Sequence, residues 1–425
     1  MKPRRSRKAE LAPNAMSGEK AHAETAECAE FKMTELGPIP VDWDVKRIDQ
    51  CGDVVTGSTP PRGVSELWGG SFNWISAKDF KGKFIVSSEE KVTEAGKRYC
   101  RTLPANSVLV TCIASIGLNA IARRPCATNQ QINAVICRDC DYEYFYYQCC
   151  FNESRLRQMA GQTAVPIIGK SQFEEFTIAL PKEIKEQRRI AGALSDVDEL
   201  ISALGKLIEK KRNIKTGAMQ QLLTGKTRLQ GFGNSETQRH EGAEFKMTEL
   251  GHIPVDWEVK RLGDVAKIGN GKDYKHLPEG NVPVYGTGGL MTYVNACLYD
   301  GATVCIGRKG TIDEPQYHEG KIWTVDTLFY TYDFKGVDPK FLYYLFTRIN
   351  WHSYNSATGV PSLTAVTILG IDISLPPLAE QKAIAAVLSD MDAEIAALEA
   401  DRAKYESIKQ GMMQELLTGR TRLKP

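Results

Sequence analysis

The sequence predicts an α+β protein of pseudo-two-fold symmetry, in which two mixed α/β domains are joined by two long helices forming an antiparallel coiled coil. Three observations predict it. One block of sequence occurs twice, each copy ends in a helical stripe of apolar residues, and each copy encloses short strand-like runs separated by turns.

The repeat comes first. Phe31 to Ile48 recurs as Phe245 to Leu262, and only three positions differ: Pro38 against His252, Asp44 against Glu258, and Ile48 against Leu262. A later block matches too, Glu186-Gln187 through Leu229 against Glu380-Gln381 through Leu423. The offsets are 214 and 194, so the insert between the matched blocks is 20 residues shorter in the second copy. The frame has been kept and the inserts have diverged.

Within the frame, Leu180-Pro181 and Leu375-Pro376-Pro377 precede a change to helical periodicity, with proline where a first turn tolerates it. Ile190, Leu194, Val197, Ile201, Leu204 and Ile208 alternate steps of four and three, which is a coiled-coil seam. Ile384, Leu388, Met391, Ile395 and Leu398 repeat it; Arg402 then interrupts the stripe, and Tyr405, Ile408, Met412 and Leu416 continue it in shifted phase. Glycines 225 and 419 follow the last apolar turn as helix stops. Each helix is expected to run ~35 residues, about 50 Å. Rods of that length suit packing on each other better than burial in one small core.

The inserts carry β-like runs at Phe72–Ser76, Ser107–Ile113 and Gln131–Ile136, then at Asn281–Tyr285, Ala302–Ile306 and Thr324–Tyr330. An aromatic helix closes each insert, Tyr142–Met159 and Pro339–Tyr354, before a last strand at Phe176–Leu180 or Ile371–Leu375. Residues 1–30 read as a disordered tail and 230–244 as a polar, glycine-rich linker. If Leu229 reaches Phe245 through that linker, pseudo-symmetry brings Leu423 near Phe31.

Composition bounds the function. Hydrophobic residues at 42% and charged residues at 25% describe a globular chain. No apolar run approaches the ~20 residues needed to span a bilayer, and the basic start lacks the apolar stretch of a secretory signal, so a cytoplasmic location is expected. Eleven cysteines in such a chain are expected to stay reduced. Cys137-x-x-Cys140 with Cys149-Cys150 is the nearest approach to a zinc site, but the second pair is adjacent and the other copy has no equivalent, so no metal is expected.

Catalytic motifs are missing as well. Gly225-Lys226-Thr227 resembles the end of a phosphate loop, yet it ends a helix and its counterpart replaces the lysine with Arg420. Gly286-Thr287-Gly288-Gly289 lacks dinucleotide spacing. Asp79 beside Lys81 and Lys83 makes only an isolated match to a nuclease pattern, and none of the six histidines has a counterpart in the other copy. The duplication offers two readers and no catalyst.

Leu-Pro, Glu-Gln and then a long helix ending Leu-Leu-Thr-Gly resemble the conserved helices of type I restriction–modification specificity subunits. Gly57-Ser-Thr-Pro60, Trp68, Asn73-Trp74-Ile75, Ala114-Ser-Ile-Gly117 and Thr128-Asn-Gln130 resemble that family's target recognition domains, as do Pro283-Val-Tyr-Gly286, Ile306-Gly-Arg-Lys-Gly310 and Asp326-Thr327. The resemblance implies target recognition domains at 31–180 and 245–375 and conserved spacer helices at 181–229 and 376–425. It also implies a chain without catalysis of its own that reads double-stranded DNA and binds two methyltransferase subunits, with restriction/motor subunits in the full complex and no membrane. No cofactor is expected in this chain; S-adenosylmethionine, ATP and Mg would bind the partners.

Net charge is only +2, with 14 basic and 13 acidic residues over 49–180 and 9 and 11 over 263–374, so weak DNA binding by the chain alone is expected. Candidate DNA contacts in expected loops are Arg62, Lys78, Lys81, Lys83, Arg123 and Arg124 in the first reader. In the second they are Lys272, Tyr274, Lys275, Arg308 and Lys309. Trp43 and Trp257, inside the repeated frame, read as packing residues.

Overall fold

A computed structural model describes residues 30–161, 165–233 and 244–423. The expected tail (1–29 of it) and most of the expected linker (234–243) lie outside the described residues. The chain divides into two compact units, Met1–Val197 with Ile408–Pro425, and Asp198–Ser407. Each unit is therefore completed by a piece of helix that belongs, in sequence, to the other copy.

In the first unit a hairpin of Phe31–Thr34 and Gly37–Pro40 leads to Trp43–Arg47, which pairs antiparallel with the last strand, Thr177–Pro181. Between them lie two sheets. One has five strands in the order Gly52–Thr56, Ile132–Cys137, Val108–Thr111, Asn119–Ala122, Phe84–Ile85. The other sets Trp68–Ile75 between Cys126–Thr128, parallel to it, and Glu90–Val92, antiparallel.

The second unit repeats this plan on a different sequence. Lys267–Asn270, Leu328–Tyr332, Thr303–Gly307 and Gln316–His318 form one antiparallel sheet. In the other, Val282–Gly286 runs parallel to Lys321–Thr324, as Trp68–Ile75 does to Cys126–Thr128. The diverged inserts thus keep a common topology, apart from the Phe84–Ile85 edge strand, which the second unit's sheet lacks. The expected strand Thr324–Tyr330 is in fact two: Thr324 ends a strand of one sheet, and the turn at residues 325–327 crosses to Leu328 in the other, closed by Leu328 N donating to Val325 O at 2.9 Å.

The expected aromatic helices also break. Tyr142–Phe151 stops at Asn152, whose amide turns back onto the Gln148 carbonyl at 2.8 Å, and Glu153–Met159 follows. Pro339–Phe346 is followed by a separate turn at Trp351–Tyr354.

The long helices are Ile184–Leu222 and Leu378–Leu416, 39 residues each, or ~58 Å. In the first unit Ile190, Ala191 and Leu194 share a core with Leu416 and Leu417. In the second, Leu222 and Leu223 share one with Ile384, Ala385 and Leu388. Start meets end in both, so the helices run antiparallel within each unit. Across the pair in the second unit, Lys211 meets Glu394, Arg212 meets Glu399 and Lys215 meets Asp392. Among the seam residues Ile190, Leu194, Ile208, Ile384, Leu388 and Ile395 are buried, while Val197, Ile201, Leu204, Met391 and Leu398 are half-buried. Ile408, expected to continue the stripe, is exposed.

The helix ends explain why the frame was kept. Gly225 and Gly419 adopt φ of +67° and +71°, the left-handed stop that disfavours side chains. A Cβ on Gly225 would meet Pro254 Cγ at 2.5 Å and Trp257 at 3.2 Å, and Gly419 sits against Pro40 and Trp43 in the same way. Just beyond, Arg228 donates to Glu380 through Nε (2.5 Å) and Nη2 (2.6 Å) and to Asp256 through Nη1 (2.9 Å) and Nη2 (2.8 Å). Arg422 does the same to Glu186 (2.6 and 2.8 Å) and Asp42 (3.0 and 2.8 Å).

The Glu-Gln pair thus divides its labour. The glutamate receives the arginine, and the glutamine caps the aromatic helix. Gln187 accepts from Asp141 N at 2.8 Å and Gln381 from Asp338 N at 2.8 Å, while their amides return to Pro181 O and Pro376 O.

Arg422 on Asp42 places the end of the described chain beside its first hairpin. A circular permutant opened within 230–243, with the old ends joined, is therefore expected to fold. Cooperative thermal unfolding near the parent's midpoint supports this; an insoluble permutant counts against it.

Candidate nucleic-acid interface

Four loops meet at one end of the sheets in each unit, held by equivalent backbone bonds. In the first, Gly57 N donates to Ile132 O (3.0 Å), Ser58 N to Thr128 O (2.8 Å), Cys112 N to Gln131 O (2.8 Å) and Ala114 N to Pro166 O (3.0 Å). In the second, Gly271 N donates to Leu328 O (3.0 Å), Lys272 N to Thr324 O (2.8 Å), Arg308 N to Thr327 O (2.8 Å) and Gly310 N to Pro361 O (2.9 Å). Gly57 and Gly271 are glycines because a Cβ would strike the backbone of residues 128–129 or 324–325. Ala114 takes the left-handed φ of +62° that its counterpart Gly310 takes at +88°. An alanine there stores strain of order 1 kcal/mol or more, a feature associated with functional loops.

The side chains on these loops differ between units. In the first, Arg62 lies over Trp68 (4.2 Å) and Trp74 (4.7 Å) and is paired with Glu90, which fixes its guanidinium in place. Glu90 holds that charge and Arg62 in turn depresses the Glu90 carboxyl below its ordinary value through their hydrogen bond. Thr59 donates to Gln130, Asn129 to Gln131 at 3.1 Å, and Arg101 to Thr56 O at 2.8 Å. Amides and a stacked arginine of this kind can read base edges.

In the second unit Lys272, Lys275 and Lys309 are exposed, and Arg308 is half-buried with its backbone locked between the Thr324–Leu328 and Pro361–Leu363 segments. Among the described residues no carboxylate is paired with these three lysines, so the second reader presents its positive charge directly. Tyr274 instead packs into the small apolar cluster of Val282, Val284 and Trp323.

The structure therefore gathers Lys272, Lys275, Arg308 and Lys309 in one place and divides the first set. Arg62 lies on the loop cluster, and Lys78 stands on the short turn after Ile75, whose carbonyl accepts from Asn129 N at 3.1 Å. Lys81, Arg123 and Arg124 lie by the Phe84–Ile85 edge, with Lys81 paired to Glu89 at 2.9 Å and Arg123 over the Phe84 ring at 3.6 Å.

Lys83 is removed from the candidates. Its side chain is 9% exposed and donates to Glu143 (2.7 Å), Tyr147 (3.1 Å) and Ser195 (2.8 Å), tying the sheet to the first long helix. Asp79, likewise, is a structural acceptor for Ser76 N and Glu89 N, both at 2.8 Å. Asn129, Gln130, Gln131 and Arg101 were not singled out as contacts from sequence. The available signal was the Thr128-Asn-Gln130 motif, already tied to a recognition domain by resemblance.

Trp43 and Trp257 are fully buried, as their place in the frame predicts. Hydrogen bonding to a neighbouring cysteine, with burial behind it, pushes the Cys51 and Cys140 thiols far above their ordinary range, and burial alone pushes Cys126 up to about 12. Such thiols are poor nucleophiles. Among the described residues no group of three or more His, Cys, Asp or Glu is placed to hold a metal ion, and no helix is long and apolar enough to cross a membrane.

A family model described as the type I restriction modification DNA specificity domain matches residues 40–213 and again 254–410. The chain is 34% identical over 254 residues to the type I restriction enzyme MjaIX specificity subunit of Methanocaldococcus jannaschii, an alignment covering 57% of this chain and 56% of that protein. It is 26% identical over 441 residues to the MjaVIII specificity subunit of the same organism, covering 93% and 96%. In fold it resembles the crystal structure of a type I restriction–modification S subunit from M. genitalium, with a TM-score of 0.60, 19% identity, and coverage of 88% of this chain and 96% of that one. With the specificity domain present twice and each copy built on the same four-loop plan, the chain belongs to the type I restriction–modification DNA specificity family.

Proposed function

We propose that this chain is the reading subunit of a type I complex and performs no catalysis itself. Each loop cluster recognises one half of a bipartite DNA target, and the paired helices set the distance between the halves. The observation that carries the reading is the duplicated loop plan with unlike side chains: amides and a stacked arginine in one unit, free lysines in the other. One scaffold that presents two different surfaces suits two unrelated half-sites.

Two methyltransferase subunits would bind the chain, and restriction/motor subunits would join the full complex. S-adenosylmethionine, ATP and Mg would be held by those partners, and the assembly would work in the cytoplasm. The near-neutral charge of both readers is consistent with partners that close around the duplex and supply much of the phosphate neutralisation.

The test is reconstitution. The purified chain is mixed with the methyltransferase subunit encoded nearby, and methylated positions are mapped on random-sequence DNA. Adenine methylation in an asymmetric two-part motif is expected only in the mixture. Modification by this chain alone, or a single undivided motif, would refute the reading.

A further inference from the structure

On one strand pair the second unit carries an apolar surface where the matching pair of the first unit carries charge. In the ribbon Val282–Gly286 with Gly289–Val294, Leu290, Met291 and Tyr293 are 51%, 55% and 47% exposed. A regular strand alternates its faces, so Leu290 and Met291 should not both face solvent. They do because of a β-bulge: Val284 pairs with Thr292 and Tyr285 with Leu290, which leaves Met291 without a partner in register. Bulges of this kind re-aim side chains and are found beside functional sites.

The bulge is continuous with the loop cluster. Val325 N donates to Tyr285 O at 3.0 Å, joining the ribbon to the segment that also holds Lys272 and Arg308. Gln316 fixes the turn through Gly286 O (3.1 Å) and Thr287 O (3.2 Å). Met291 lies over Gly286, where a Cβ would come within 2.8 Å of its sulfur. In the first unit the matching strand, Trp68–Ile75, pairs instead with the charged Glu90–Val92, where Glu90 holds Arg62.

We propose that Leu290 and Met291 are specificity-determining residues that contact the 5-methyl group of thymine in the half-site read by the second unit. Gly289–Val294 is the edge strand of a four-stranded sheet, so Leu290 and Met291 are open to a duplex, and the 5-methyl group of thymine is the apolar feature on the major-groove floor. Lys272, Lys275 and Lys309 beside the ribbon would meet the flanking phosphates. An apolar strand pair in one reader against a charged one in the other suits different bases in the two half-sites. The inference rests on the functional reading above.

The test uses the complex with its methyltransferase subunit and a duplex bearing the mapped target. Thymines of the second half-site are replaced by uracil, which lacks only the methyl group. The parent complex is expected to bind the uracil duplex about fourfold more weakly for each buried methyl, while uracil in the first half-site leaves the unit-two contact untouched. The L290A/M291A variant is expected to bind both duplexes alike. Equal affinity of the parent for the two duplexes overturns the proposal without help from any variant, and so does full discrimination in a folded L290A/M291A protein. A parent complex that methylates no bipartite target overturns the functional reading instead.

Discussion

Replacing Arg228 by alanine is expected to lower the unfolding midpoint of the protein by on the order of 10 °C. Arg228 bonds Glu380 through two nitrogens, and Glu380 is completely buried, with Trp257 Nε1 donating to it at 3.1 Å. Without the arginine that carboxylate is left with an indole N–H alone, and removing one partner of a buried pair costs about 3–5 kcal/mol. In a unit of this size that is roughly 2–4 °C per kcal/mol.

Asp256→Ala is expected to cost far less, about 1 kcal/mol or under, because the Asp256 carboxylate itself is solvent-exposed. Replacing Arg228 and Glu380 together by methionine and leucine is expected to recover only part of the loss, since the buried charge is gone but Trp257 Nε1 loses its acceptor. Differential scanning calorimetry of the three variants checks the order. An R228A protein as stable as its parent would show that the arginine does not close the unit.

Acid acts on the same clasp. Hydrogen bonding from Arg422 and Arg228 holds the Asp42 and Asp256 carboxyls below their ordinary value. A depressed carboxyl stabilises the fold above its unfolded value, near pH 4, and that contribution is lost as pH falls through the folded one.

Much of this architecture is legible in the residues. The repeated Ile-Pro-Val-Asp-Trp block announces a shared role, and periodicity in Ile190–Ile208 and Ile384–Leu398 announces the rods. The sequence does not say that each block receives the other copy's helix end. That contact depends on Gly225 meeting Pro254 and Gly419 meeting Pro40, which are 29 and 379 residues apart in the chain.

The candidate site was harder to read because charge alone does not locate a side chain. Lys83 looks like Lys81 in sequence, yet one is sealed beneath Glu143 and Ser195 and the other lies open beside Glu89. In the second unit the basic residues stood in short loops bounded by glycine, and loop glycines at 271, 307 and 310 bring those loops together. The Met291 bulge has no sequence signature. It arises from a one-residue mismatch between two strands.

The proposed function rests on the helices acting as a ruler. Residues 201–204 and 395–398 occupy equivalent places in the two rods, offset by the same 194 residues as the rest of the repeat. Deleting both stretches removes about one turn from each helix, ~6 Å, which corresponds to about two base pairs at 3.4 Å each. The loop clusters, the arginine clasps and the glycine stops lie outside the deleted segments.

The decisive measurement is the methylation motif written by the reconstituted complex carrying this paired deletion, mapped base by base. A helical ruler predicts both half-sites unchanged and the gap between them shortened by one or two base pairs. A fully active complex that keeps the parent's gap contradicts it.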